Sequence, residues 1–308
     1  MPWARIVGGA GRVLITAGLL VLGFVAYQLW GTGLQEAKSQ DKLESQFDDA
    51  LAEAGSTTTT APPGGPPPTA PPAPPQGDAV AHIVIPDIGV DKIVVQGVSV
   101  GDLRRGPGHY PDSPLPGQPG NAAIAGHRTT YGAPFNRVDE LKKGNDILIT
   151  TQQGSFRYVV DHIDVVAPSK VDVLDNFGDN RLTLTSCNPK YSARQRIIVV
   201  AKLAPKEKPA PAPTTTTPAD DGDNGDNGDY GGTTDSVGLD AGLSGDSNSW
   251  WPAILWATAC ALIWLIAWVV AKWLPRNGWI AYLVGAPFFL VVLFVCYTQI
   301  EKALPANL

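Results

Sequence analysis

Three long apolar runs frame the chain. Residues 13–30 (VLITAGLLVLGFVAYQLW) carry no charge, and as a helix they would cover about 27 Å, close to one bilayer core. Residues 250–274 and 277–300 show the same pattern, with one Lys near the end of the former. Trp and Tyr mark their ends, as at membrane interfaces. Each run predicts a membrane-spanning helix, because a buried helix pair in a soluble core needs no such long uncharged stretch. Between residues 34 and 54 the chain turns rich in Gln, Glu, Asp and Lys, while Leu43, Phe47 and Leu51 recur every four residues. That is a narrow helical stripe. It predicts a short juxtamembrane helix, with a dimerising seam as its functional reading.

Residues 79–204 follow a different rhythm. Short runs rich in Val, Ile and Thr occur at 82–86, 92–96, 122–125, 147–151, 156–166, 181–186 and 196–203. Pro-Gly, Gly-Asn and Gln-Gly turn signals separate them. Helical periodicity is confined to short pieces near 100–105 and 134–141. Many short strands in one domain of about 125 residues, a common domain size, are best satisfied by a closed or nearly closed β-barrel.

Composition sets the boundaries. The chain has 308 residues, 28 Pro and 33 Gly, and the Pro and Gly are clustered. Residues 56–77 (STTTTAPPGGPPPTAPPAPPQG) form a Pro-rich linker expected to be extended polyproline II. Residues 205–249 pass through TTTTP into DDGDNGDNGD and read as an acidic disordered spacer. That run is not a calcium loop, since Asp226 stands where an EF-hand counted from Asp221 needs Gly. The expected organisation is therefore 1–31, cytoplasmic N-terminus and membrane helix; 32–78, juxtamembrane helix and linker; 79–204, the strand-rich domain; 205–249, acidic linker; 250–300, membrane hairpin; and 301–308, an extracytoplasmic tail. The formal charge of −6 lies largely in the spacer, and no basic stripe points to nucleic acid. Arg5 and Arg12 precede the first span, and Lys272 and Arg276 lie between the other two. The positive-inside tendency puts both sets in the cytoplasm and residues 32–249 outside. A cleaved signal peptide is the rival reading of the first span.

Chemistry concentrates on one thiol. Of three Cys, Cys260 and Cys296 fall inside the expected spans, where they act as small apolar residues. Cys187 stands alone in the extracytoplasmic domain, and an unpaired Cys there is a candidate reactive thiol. It ends the strand-like run 182–186, and Asn188-Pro189 stops that strand. His127 ends another such run, after Gly126, which lets backbone or ligand approach closely. Arg196 opens the next strand, and a hairpin would return it beside Cys187. An adjacent cation favours the thiolate, a His moves the protons of attack and departure, and an Arg donates to an oxyanion. Arg128 and Arg194 are the competing cations. His82 and His162, at or within strands, read as structural or exposed. No pair of ligands has zinc spacing, so neither metal nor cofactor is expected.

These residues carry a family resemblance. His127, the run Thr183-Leu-Thr-Ser-Cys187 and Arg196, in that order, resemble the signature of the sortases. The phrases Gly108-His-Tyr-Pro111, Gly126-His-Arg-Thr-Thr-Tyr-Gly132 and Cys187-Asn-Pro-Lys-Tyr-Ser-Ala-Arg-Gln-Arg196 are similar to class E sortases of actinobacterial type. Ser186 departs from the common Thr of the motif but keeps a hydroxyl. The resemblance implies an all-β fold, a sortase-like closed barrel with short helices, here flanked by transmembrane helices. It implies a transpeptidase in which Cys187, His127 and Arg196 are catalytic. The substrate would be an exported protein with a C-terminal LAxTG- or LPxTG-like sorting signal, cut between Thr and Gly. The acceptor would be an amine of peptidoglycan or a pilin Lys. Candidate substrate-binding residues are Tyr110, His109, Thr185 and Ser186. The alternatives are an exported cysteine peptidase or cell-wall amidase, or a non-catalytic surface β-domain.

Overall fold

Residues that alternate inward and outward along every strand can bury one face by closing the sheet on itself. The computed structural model, which describes residues 2–56, 73–205, 250–273 and 278–303, shows that solution. Helix α1 (Pro2–Ala26) leads through a π turn at Tyr27–Gly31 into α2 (Thr32–Ser56). Then come β1 (Ala79–Ile85), β2 (Val90–Gln96), the short helix α3 (Val100–Leu103), β3 (Gly108–His109), β4 (Asn121–Ala125), β5 (Asp146–Thr151), β6 (Gly154–Val166), β7 (Arg181–Asn188) and β8 (Gln195–Leu203). The strands close in the order β1-β2-β3-β4-β7-β8-β6-β5. Most of the two linkers, and Arg276, lie outside the described residues.

Two pairings are parallel, β2 with β3 and β4 with β7; the others are antiparallel. Ile83, Ile85, Ile124, Ile147, Ile149, Leu182, Leu184 and Val199 point into one buried core. Their strand neighbours of opposite parity face out. Seven of the eight strands fall where the apolar pattern puts them. The two-residue β3 does not, because Gly108-His109 lies in a Gly/Pro-rich stretch too short to show alternation.

The same compact unit takes in α2 from Glu36 onward. Leu43 and Phe47, buried at 0% and 3% exposure, pack with partly buried Leu51 against Ala79, Ile93 and Val95 on the outside of the barrel. The stripe read from the sequence as a possible dimer seam is thus covered by the chain's own strands. Gln40 completes the joint. Its amide nitrogen donates to the carbonyls of Ile93 at 3.0 Å and Arg105 at 2.9 Å, and its oxygen accepts from Ile93 N–H at 2.7 Å. Strand β3 pairs with β2 only at Val95 and Gln96, so one side-chain amide satisfies backbone groups beyond its end.

The second unit contains α1, α4 (Trp251–Trp273) and α5 (Gly278–Ala303). Segments Trp251–Trp273 and Trp279–Ile300 are long and apolar enough to cross a membrane. Their large side chains are largely bare, with Trp251 76% and Phe288 66% exposed, as suits membrane anchoring rather than a soluble core. At the first expected span, the apolar helix Leu14–Ala26 is shorter, because the π turn interrupts the run after Ala26. Phe24 meets Tyr297 and Tyr27 meets Phe294 edge to face, and the Tyr297 hydroxyl donates to the Leu20 carbonyl at 2.7 Å.

Because Phe47 fills the joint between helix and barrel, Phe47→Ala should destabilise the barrel unit by about 3–5 kcal/mol. Pulse proteolysis of the full chain in detergent and urea would measure it. A loss below about 1 kcal/mol, well short of the usual cost of an emptied core site, would mean that the helix lies only loosely on the strands.

Candidate active site

Strand register assembles the candidate residues at one rim of the barrel. Strand β4 runs parallel to β7 with Ala125 opposite Thr185; His127 follows two residues after Ala125, as Cys187 follows two after Thr185. Strand β8 runs antiparallel to β7 with Arg196 directly opposite Cys187. Directly paired residues sit about 5 Å apart and share a face. That face is the outer one: Ala123, Ala125 and Cys187 belong to the cluster with Val98, Leu103 and Tyr110, outside the central core. Cys187 on β7 and Arg196 on β8 therefore lie side by side, and His127 follows two residues after the end of β4 at the same rim.

They differ in exposure. Arg196 is fully buried and His127 is 3% exposed, whereas the Cys187 thiol is half-buried and in no disulfide. Arg196 is anchored by Nη1, which donates to the carbonyls of Ala193 at 2.9 Å and Gln195 at 3.1 Å. Burial pulls the His127 imidazole down to about 4, with the Arg104 charge adding to the effect. The ring is therefore neutral near pH 7, the form that accepts a proton. Its Nε2 is buried with no hydrogen-bond partner, a group of the kind that calls for a functional explanation.

The turn after β4 is fixed from several sides. A Cβ on Gly126 would sit 2.6 Å from Phe135 Cδ2, so glycine is what allows that ring beneath the turn. Gly126 N–H donates to the Thr185 carbonyl at 3.1 Å, and Ser186 Oγ donates to the Gly126 carbonyl at 2.7 Å. Arg128, one of the competing cations, is fully committed. Nε donates to Asn136 O at 2.9 Å, Nη1 to Cys187 O at 3.3 Å, and Nη2 pairs with Asp139 at 2.8 Å. Arg194 lies exposed in the bend before β8.

The walls of the site are apolar. On one side α3 is held by a capping box between Ser99 and Asp102, and it brings Val100 and Leu103 down as buried side chains. On the other, buried Asn121 holds the segment after β6. Its Nδ2 donates to the carbonyls of Val173 at 3.1 Å and Asp175 at 3.0 Å, and its Oδ1 accepts from Thr183 at 2.7 Å. This seats Leu174 against the cluster that contains Tyr110 and Cys187.

The four residues expected at a substrate groove divide by parity. Tyr110 and Thr185 lie on the outer face, their hydroxyls 3.3 Å apart. His109 pairs with Ile124 and so faces the other way. Its ring nitrogens lie 2.9 Å from Gln96 Oε1 and from Pro114 O, an arrangement that holds a loop together. Ser186 shares the inward parity of Leu184 and serves the β4–β7 joint. His82 and His162 sit beside carboxylates at the surface, His82 Nε2 2.6 Å from Asp91. Two neighbours of His127 were not among the candidate site residues, although Tyr131 lies in the phrase 126–132 that carries the resemblance. Tyr131 lies with its ring centroid 5.1 Å from that of His127, and the Arg104 guanidinium lies over Tyr131 at 5.6 Å. Only the turn geometry brings them in. Among the described residues, no group of three or more His, Cys, Asp and Glu gathers to hold a metal.

With this geometry in view, the comparisons with known proteins are direct. Residues 83–204 match the family model described as the sortase domain. Sortase SrtE1 of Streptomyces coelicolor is 33% identical over 226 residues, covering 68% of this chain and 60% of that protein. Sortase SrtE2 of the same organism is 28% identical, covering 67% of this chain and 85% of that protein. A solved structure of sortase E from Streptomyces avermitilis is 35% identical, covering 42% of this chain and 90% of that one, with a TM-score of 0.39. At that score the barrel rests on its own strand pairing. The chain spans less than two thirds of SrtE1, the first of these relatives. It belongs to the sortase family, whose members are cysteine transpeptidases.

Burial of neutral His127 makes the fold acid-sensitive. Above its ordinary value of 6.5, neither the folded nor the unfolded chain binds a proton there. As pH falls from 6.5 towards about 4, the unfolded chain takes one up and the folded chain does not. Stability should therefore drop by about 3 kcal/mol from this group alone, complete near the folded value. His127→Gln should lack that component. Equal acid sensitivity of the two proteins, in urea series at about pH 7 and about pH 4.5, would contradict the assignment.

Proposed function

We propose that this protein is a membrane-anchored transpeptidase in which Cys187, His127 and Arg196 carry the chemistry. The observation that supports this most is the pairing of Cys187 with Arg196 across β7 and β8, beside the end of β4 that leads into His127. Neutral His127 takes the thiol proton. The Cys187 sulfur attacks the Thr carbonyl carbon of an LAxTG- or LPxTG-like sorting signal. A tetrahedral intermediate forms, and Arg196 donates to its oxyanion. Protonated His127 gives its proton to the departing Gly amine as the Thr–Gly bond breaks, leaving a thioester. An amine of a cell-wall peptide or a pilin Lys then attacks that thioester. His127 accepts the amine's proton, the C–S bond breaks as the new amide forms, and His127 returns that proton to the departing sulfur to restore the thiol. Tyr110 and Thr185 share the outer face and are the candidates for contact with the signal's side chains.

The multi-pass arrangement is part of the same reading. Arg5, Arg12, Lys272 and Arg276 lie on the cytoplasmic side, and the barrel faces outward. The partners are then exported proteins held near the membrane by their own apolar tails, and the linkers keep enzyme and signal at high effective concentration.

The chemistry is tested with a sorting-signal peptide and a Gly or diamine acceptor. Cys187→Ala should abolish both cleavage and the covalent acyl intermediate. Arg196→Ala should lose about 10²–10³ in rate, and Lys should rescue poorly because it lacks the planar fork. Retained turnover without the thiol would sink the proposal, and a product released only to water would favour a peptidase. A crippled Arg194→Ala with a healthy Arg196→Ala would reassign the oxyanion donor.

Topology has its own test. A reporter enzyme active only outside the membrane should work when fused after Gly77 or within 220–246, and should fail at Pro275. Activity at Pro275 would overturn the three-span arrangement.

A further inference from the structure

The turn that follows His127 is strained and is braced from outside the barrel. Tyr131, Gly132 and Ala133 all have left-handed backbones, with φ of 50°, 70° and 43°. Non-glycine residues hold that conformation only where the surroundings enforce it. On the inner side, Ala133 N–H donates to Thr130 O at 2.9 Å and Phe135 N–H to His127 O at 3.2 Å. On the outer side stands Glu36, near the start of α2. Its side chain is 2% exposed and pairs with Lys92 Nζ at 2.7 Å and 3.0 Å from its two oxygens. A Cβ on Gly132 would land on Glu36 Oε2. The carboxylate therefore occupies space that only glycine leaves open.

The same helix face reaches the other neighbour of the turn. One turn further along, Gln40 binds the carbonyl of Arg105 at 2.9 Å. Arg105 follows Arg104, whose guanidinium covers the Tyr131 ring. Tyr131 in turn lies against the His127 imidazole. Glu36 and Gln40 thus hold, respectively, the turn that carries Tyr131 and the segment that covers it.

We propose that Glu36 is a positioning residue for His127, acting through the left-handed turn 131–133 and the Tyr131 ring. It touches neither substrate nor the reacting atoms. Without it, the turn can relax towards ordinary backbone angles and withdraw Tyr131 from the imidazole. The catalytic consequence rests on the transpeptidase reading above, whereas the structural consequence does not.

The test uses the full chain in detergent with isotope-labelled histidine. The four His are assigned by single His→Gln changes. Glu36→Ala should move the His127 ring resonances towards those of Tyr131→Ala, because the ring-current shift from Tyr131 is lost. The resonances of His82, His109 and His162 should stay in place. On the sorting-signal peptide, kcat should fall about tenfold or more while KM holds. Glu36→Gln, which keeps the shape and an acceptor oxygen, should recover most of both effects. Glu44→Ala, an exposed acidic position on the same helix, should change neither. Unmoved His127 resonances in folded Glu36→Ala would overturn the proposal, as would moved resonances with wild-type kcat. If Glu36→Ala loses the His109 resonances and so the fold, Gly132→Ala is read in its place, since it drives the turn off the same carboxylate. Unmoved His127 resonances there would be equally fatal. Moved resonances in a protein whose wild type turns over no signal peptide would support the positioning role and sink the transpeptidase reading instead.

Discussion

The site depends on the parallel pairing of β4 with β7. A barrel made only of hairpins would put chain-adjacent strands side by side, and β4 and β7 are far apart in the chain. Their register, Asn121 with Arg181 through Ala125 with Thr185, is what carries the end of β4 to the end of β7. Both strands then stop at the same rim, and the residues just past Ala125 face those just past Thr185. The antiparallel step to β8 adds Arg196 opposite Cys187. A slip of one residue in either pairing would turn a whole row of side chains to the other face. Buried Leu182, Leu184, Ile124 and Val199 on the inner face make that slip costly, so core packing and site geometry are one constraint.

The rim also separates chemical states. His127 and Arg196 are buried while Cys187 stays partly open. A buried imidazole prefers to be neutral and a guanidinium keeps its charge in any setting. On the proposed mechanism this leaves a base at the thiol and a permanent cation across from it before any substrate arrives. The walls, Leu103 and Leu174 among them, are apolar and would exclude water when a peptide lies between them, which strengthens each of these charges.

Much of this was legible in the chain. Period-two runs located seven strands within a few residues, and β-branched content marked them as a barrel. The two C-terminal apolar runs were legible because length and lack of charge suffice, whereas the π turn at Tyr27–Gly31 leaves the first run with only the shorter apolar helix Leu14–Ala26. The grouping of Cys187, His127 and Arg196 followed from strand ends and from family resemblance. What alternation could not supply was facing. His109 and Tyr110 are neighbours in one phrase, yet β3 pairing sends His109 to the core side and Tyr110 to the site. The same holds for Ser186 and Thr185. The role of α2 was hidden for another reason. A stripe of Leu43, Phe47 and Leu51 announces that a helix buries something, and it cannot say whether the partner is another chain or the strands that follow a long linker.

The cations around the site show how geometry settles what spacing leaves open. Arg104, Arg128, Arg194 and Arg196 all lie near Cys187 or His127 in sequence or in space. Arg128 holds a loop with every edge of its guanidinium, and one of its partners is the Cys187 carbonyl, so it fixes the backbone rather than the sulfur. Arg194 precedes β8 and is not bound by strand alternation, which leaves its side chain to solvent. Arg104 follows α3 and lies over Tyr131, which lies against His127; its charge opposes protonation of the imidazole. Arg196 alone of the four starts from the strand position directly opposite the thiol. Its Nη1 is tethered to the carbonyls of Ala193 and Gln195, so the planar group is oriented before any ligand binds. On the proposed mechanism an oriented donor loses little freedom when charge develops beside it, and for such a task position on the ladder matters more than nearness in the sequence.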